Sequence, residues 1–154
     1  MTHPGADLAL LLLASYRKLV DQAVLELAHH GHADVTPTLH YAMSAIDLGA
    51  GTASELAQAL AVTKQAAAKT VSVLLARGYI DIDVDPDDRR RKRLRVTVAG
   101  HRVMQDGAAI FDTLRENWAE QAGKEAVEAL EETLRDYTRD APIRLDSPGW
   151  SNDV

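Results

Sequence analysis

Leu8, Leu12, Ser15, Leu19 and Ala23 recur at three- and four-residue steps, so residues 6–29 are predicted as one long helix. Its early part, "LALLLLA" at 8–14, is apolar nearly all round, which predicts burial against more than one neighbour. The stretch "HHGHADVTP" breaks this helix, with Gly31 where a helix end favours a left-handed residue. A second helix is expected over 37–48, and "GAG" at 49–51 is a break.

"TASE", from Thr52 to Glu55, has the form of a capping box, in which the hydroxyl takes a backbone N–H and the carboxylate reaches back to the cap. It opens a short helix, "SELAQAL". Thr63 can cap a further helix running to about Arg77, with Gly78 as its stop. Then the period changes. "YIDIDV" at 79–84 alternates apolar and acidic, and "RLRVTV" at 93–98 alternates again, so two strands of a hairpin are predicted. Thr97 starts a long helix on which Val103, Ile110, Leu114 and Trp118 share a face, and a last helix carries Val127, Leu130, Leu134 and Tyr137. The tail "APIRLDSPGWSNDV" has two prolines and is expected to be irregular.

Composition adds exclusions. The 154 residues are 46% hydrophobic and 26% charged, as in ordinary globular chains. The longest apolar run is too short to span a bilayer, so no membrane partner and a cytoplasmic location are expected. With no cysteine there is no disulfide, thiolate metal site or thiol switch. The net charge of −6 conceals a basic segment: residues 61–100 hold nine Lys and Arg against five Asp, while the remainder carries eight cations and eighteen anions. An acidic body with one basic face focuses positive potential there, and the usual anion for such a face is nucleic acid.

The hairpin loop concentrates that charge. "DPDDRRRKRLRV", residues 85–96, sets three aspartates before five consecutive cations. It is either a solvated charge run or a grip on something anionic. Two helices, a short turn and a hairpin with a basic loop make the outline of a winged helix-turn-helix, which favours the grip. Leu56, Leu60, Ala67, Val71 and Leu74 are assigned inward, leaving Lys64, Gln65, Ala66, Ala68, Lys69 and Ser72 outward, with Thr63 at the start. Lys64 and Gln65 can hydrogen-bond base edges, the alanines can touch thymine methyls and Lys69 suits a phosphate. Arg89, Arg90, Arg91, Lys92 and Arg93 can lie along the backbone, one arginine entering a narrow minor groove. Asp88, two residues before Arg90, can hold its guanidinium in a fixed fork, and Asp85 with Pro86 is turn chemistry.

From Ser54 to Gly100 the chain resembles the MarR family of bacterial and archaeal transcription regulators. "SELAQALAVTKQAAAKTVSVLLARGYI" is similar to that family's helix-turn-helix, "DPDDRR" to its wing signature and "VTVAGH" to the entry of its long dimerisation helix. The resemblance implies a mainly α fold with a small β-hairpin wing, flanked by long helices that form a homodimer. It implies an N-terminal dimerisation helix over 1–35, a DNA-binding lobe over 36–97, and C-terminal dimerisation helices and tail over 98–154. Asp88 takes the place of the family's bracing acid and Arg90 that of its minor-groove arginine. Ala66 and Ala68 stand where hydroxyls are common and Val73 where a polar residue is common, so base contacts are expected to be fewer and more apolar.

The function expected is a sequence-specific regulator of pseudopalindromic duplex DNA, a repressor relieved by a small aromatic or anionic effector. Tyr16, Tyr41, Phe111 and Trp118 are the candidate pocket walls, although each also suits core or dimer interface. No catalytic constellation, cofactor or metal is expected. Two alternatives stand beside this. His29, His30, His32 and His40, with Glu26 and His101, can be read as a metal-responsive site or as helix-end histidines. The wing can also be read as contacting an acidic protein.

Overall fold

The computed structural model describes residues 3–139. Its elements in chain order are α1 (Pro4–His29), α2 (Pro37–Asp47), α3 (Ala53–Leu60), α4 (Lys64–Ala76), β1 (Ile80–Val84), β2 (Lys92–Val96), α5 (Val98–Ala122) and α6 (Lys124–Thr138). The fold is mainly α with one antiparallel hairpin, and no described helix is long and apolar enough to cross a membrane. The predicted irregular tail, 141–154, lies outside the described residues.

Most element ends are set by local chemistry. α1 begins two residues earlier than its periodicity, because Pro4 has no N–H to lose and its fixed φ suits a first turn. Thr36, Thr52 and Thr63 each accept a hydrogen bond from the backbone N–H three residues on, at 3.3, 3.1 and 3.1 Å. The capping box differs in one detail. Glu55 Oε2 accepts from the Gly51 N–H at 2.7 Å, one residue before the cap, rather than from Thr52. The second strand ends at Val96, because Thr97 is a cap. Its hydroxyl accepts from the Gly100 N–H at 3.1 Å and donates to the Gly78 carbonyl at 2.6 Å.

The described chain divides into two compact units. One comprises residues 34–106, that is α2, α3, α4, the hairpin and the first turns of α5. Its core holds Val35, Met43, Leu56, Leu74, Ile80 and Val103, all at most 2% exposed. Helix α2 packs on α3, α4 and β2, while α4 packs on α3 and β1. Of the predicted inward positions Leu56, Leu60, Ala67 and Leu74 are buried, whereas Val71 is half-buried. Gly100 closes this unit: a Cβ there would strike the Tyr79 carbonyl oxygen and come within 2.7 Å of Val96 Cγ1.

The other unit comprises residues 3–33 and 107–139. Ala23, Leu27, Ile110 and Val127 are its buried apolar side chains. Arg115 on α5 donates through Nη2 to Glu131 Oε2 on α6 at 2.9 Å, a pairing that holds the Glu131 carboxyl below its ordinary range. The all-round burial expected of early α1 is not supplied within the described chain, where Leu8, Leu10 and Leu11 are 59%, 63% and 64% exposed.

Candidate nucleic-acid interface

Helix α4 is oriented by its buried side. Ala67 and Leu74 lie in the core, so Thr63, Lys64, Gln65, Ala66, Ala68, Lys69 and Ser72 are all left exposed. The turn before it is tight. Ala61 adopts a left-handed φ of 53°, and the Val62 N–H reaches back to the Ala57 carbonyl at 3.0 Å. Ser72 donates its hydroxyl to the Ala68 carbonyl at 3.0 Å, so toward a ligand it is an acceptor. At the other end of α4, Arg77 and the Tyr79 hydroxyl both bind Asp34, the hydroxyl at 3.1 Å from Oδ1. Burial and this hydrogen bond raise the Tyr79 pKa, which keeps the donor in place.

The hairpin pairs Ile80 with Val96, Asp81 with Arg95, Ile82 with Leu94, Asp83 with Arg93 and Val84 with Lys92. Beyond it the loop is closed by backbone hydrogen bonds, from Asp85 N to the Arg91 carbonyl at 2.8 Å and from Arg91 N to the Asp88 carbonyl at 2.9 Å. Two aspartates shape the tip from within. Asp85 Oδ1 accepts from the Asp87 N–H at 2.9 Å, and Asp88 Oδ1 accepts from the Arg90 N–H at 3.0 Å. These are Asx turns, which fix a bend two residues long. The acid expected to brace Arg90 contacts it on different atoms. Asp88 holds the backbone of Arg90 rather than its guanidinium.

The cations fall into two groups. Among the described residues, the exposed side chains of Arg89, Arg90, Arg91 and Lys92 have no hydrogen-bond or ion-pair partner. Arg93 and Arg95 are committed inside the lobe. Arg93 Nη2, expected in the phosphate grip, donates to the Gly49 carbonyl at 2.7 Å. Arg95 pairs with Asp81 and Asp83 at 2.7 and 2.9 Å. Sequence reasoning missed these pairs, as well as the burial of Asp85, 7% exposed. The signal available was the phase of the acids in "YIDIDV" against the arginines in "RLRV", which the hairpin register brings opposite one another.

The other candidates are dispersed. Trp118 lines a cavity of about 310 Å³ in the unit of residues 3–33 and 107–139, with Ser15, Lys18, Leu19, Gln22 and Gln121. Tyr16 and Phe111 belong to the same unit but do not line that cavity. Tyr41 belongs to the other unit, edge-on to His40 with ring centroids 6.1 Å apart. His30 donates from Nδ1 to the Glu26 carbonyl at 2.8 Å, and His29 lies 3.6 Å from the Glu26 carboxylate. His101 is bound to Asp47 at 2.8 Å. Among the described residues no three or more His, Asp or Glu side chains converge as metal ligands would.

This geometry has known counterparts. Residues 33–91, covering α2 to the wing tip, match the sequence profile of the MarR family. The winged lobe is similar to that of the MarR family. Proteins of that family are transcription regulators, not enzymes. The reduced form of MarR from E. coli superimposes with a TM-score of 0.70 at 20% identity, covering 84% of this chain and 95% of that one. The regulator Tm0710 from Thermotoga maritima gives 0.62 at 22% identity, covering 86% and 92%. A mutant MepR from S. aureus, bound to an oligodeoxyribonucleotide, gives 0.60 at 20% identity, covering 84% and 94%. No curated protein matches the chain significantly. At these identities the solved MarR-family structures establish the fold.

Proposed function

We infer that the chain is a homodimeric, sequence-specific regulator that binds pseudopalindromic duplex DNA and represses transcription by occluding a promoter. The observation that carries this reading is one lobe presenting both an exposed helix start and an unpartnered basic wing tip. Lys64 and Gln65 head an exposed face of α4, and Arg89 to Lys92 cap the hairpin without internal partners among the described residues. The helix start suits base edges in a major groove, and the tip suits phosphates with Arg90 directed to an adjacent minor groove. MepR, a structural neighbour, has been solved with an oligodeoxyribonucleotide, which supports the same use of the fold here.

Relief of binding is assigned to a small aromatic or anionic effector. MepR has also been solved with ethidium, an aromatic cation, which supports the aromatic part of this reading alone. In this chain Trp118 on the 310 Å³ cavity offers a flat wall for an aromatic effector and Lys18 a cation for an anionic one. An effector acts by favouring a spacing of the two lobes that fits DNA poorly, and its differential affinity sets the shift. The reading places the protein in the cytoplasm.

The test is selection of bound duplexes from a random pool, followed by titration at several salt concentrations and by footprinting. Two inverted half-sites about 10 bp apart, with affinity falling steeply as salt rises, are expected. A flat salt response would instead favour the wing as a contact for an acidic protein.

A further inference from the structure

The last cation of the basic run differs from the four before it. Arg93 donates through Nη2 to the Gly49 carbonyl at 2.7 Å and to Glu55 Oε2 at 3.3 Å, and its Nη1 lies 3.9 Å from Asp85 Oδ2. The acceptors come from three places: the break after α2, the first turn of α3 and the end of β1. The same junction is closed by backbone. The Gly51 carbonyl accepts from Leu94 N at 2.8 Å, while the Gly51 N–H donates to Glu55 Oε2 at 2.7 Å. A Cβ on Gly51 would come within 2.5 Å of the Arg93 guanidinium, so a residue without one lets the arginine lie along this edge.

We propose that Arg93 is a positioning residue for DNA binding, which fixes the root of the wing to the α2–α3 corner and so sets where the wing tip stands relative to α4. The proposal rests on the DNA-binding reading above. Glu55 belongs to the capping box of α3, and α3 packs on α4, so the guanidinium joins the frame of the recognition helix to the base of the hairpin. A planar fork reaches acceptors lying in different directions, which an ammonium on a flexible stem does less well. Two carboxylates beside one guanidinium also leave no local positive charge for a phosphate. The side chain is 34% exposed, so this is a partly shielded junction rather than a surface pair.

The experiment uses the full chain and a duplex that the wild-type protein selects from a random pool, titrated over a range of salt. For Arg93→Met we expect about a tenfold loss of affinity, the scale of a charge-assisted hydrogen bond, with no change in the salt slope. Arg91→Met, at the tip, is expected instead to reduce the slope by about 0.9, one phosphate contact. Glu55→Gln should weaken binding in the same way as Arg93→Met, the double variant should be no worse than either, and Arg93→Lys should recover only part. Hydroxyl-radical footprints of Arg93→Met should lose protection by the wing tip and keep the methylation protection given by α4. Should Arg93→Met fail to fold, Glu55→Gln and Arg93→Lys give the decision. A slope reduced by one contact would make Arg93 a phosphate ligand and overturn the proposal, as would unchanged affinity or additive losses. If the wild-type chain selects no duplex at all, the DNA-binding reading fails and the proposal with it.

Discussion

Arg95 on β2 faces Asp81 on β1 as a fork, its Nε and Nη2 donating to the two carboxylate oxygens at 2.7 and 3.2 Å. Its Nη1 reaches Asp83 at 2.9 Å, so one arginine neutralises much of the acid on the hairpin stalk. The fork holds the Asp81 carboxyl below its usual range, so that acid stays ionised and paired wherever DNA binding is measured. Arg95→Met is expected to weaken DNA binding severalfold by leaving two unbalanced anions beside the phosphates, with a salt slope close to wild type. Restoring neutrality with Asp81→Asn and Asp83→Asn in the same chain should recover most of the affinity. Failure of that recovery in binding titrations would mean that Arg95 touches DNA itself.

At the tip, Asp88 acts on the backbone of Arg90, which separates Asp88→Ala from Asp88→Asn, two substitutions that charge alone would treat alike. Arg90→Ala should cost about 1–3 kcal/mol of binding, as for a specific groove contact. Asp88→Ala should cost about 1 kcal/mol through the lost Asx turn, despite removing a negative charge. Asp88→Asn keeps an oxygen acceptor and should bind as well as wild type or better. Tighter binding by Asp88→Ala in the same titration would show the acid to be merely repulsive.

His40 on α2 is partly buried, and desolvation lowers its pKa below the ordinary 6.5. The unfolded chain therefore takes up a proton that the folded chain resists. Stability from this residue is full above about pH 6.5 and declines as pH falls from there toward the lowered value. Urea midpoints measured across this window should fall with pH in the wild type. The fall should be smaller in His40→Gln, whose absolute stability at neutral pH is a separate matter. Equal slopes in the two proteins would assign the pH dependence elsewhere.

What the sequence reveals and what it hides divides along the range of the interactions. Arg89 to Lys92 are legible because they are consecutive, and the caps at Thr36, Thr52 and Thr63 because each acts three residues away. The role of Arg93 is not legible. It belongs by position to the basic run, and its acceptors Gly49 and Glu55 lie 44 and 38 residues earlier. Asp88 shows a middle case, in which spacing gives the pair of residues and only geometry gives the atoms. Aromatic side chains carry least information. Trp118 lines a cavity and Tyr41 sits in the other unit, though both satisfy the same apolar pattern.

The leucines of α1 lead to the last prediction. Leu8 and Leu11 are three residues apart, hence on one face, and are 59% and 64% exposed in the described chain. Burying a leucine side chain fully is worth about 1.5–3 kcal/mol, so leaving such a row in water favours association with a second copy. The double substitution Leu8→Glu with Leu11→Glu should leave the urea midpoint of the winged lobe unchanged, because neither side chain belongs to its core. It should convert the proposed dimer to a monomer in sedimentation at micromolar concentration. DNA protection should then shrink from two half-sites to one, since each half-site is read by one lobe. A variant that still sediments as a dimer and protects both half-sites would place the two-fold contact away from this end of α1.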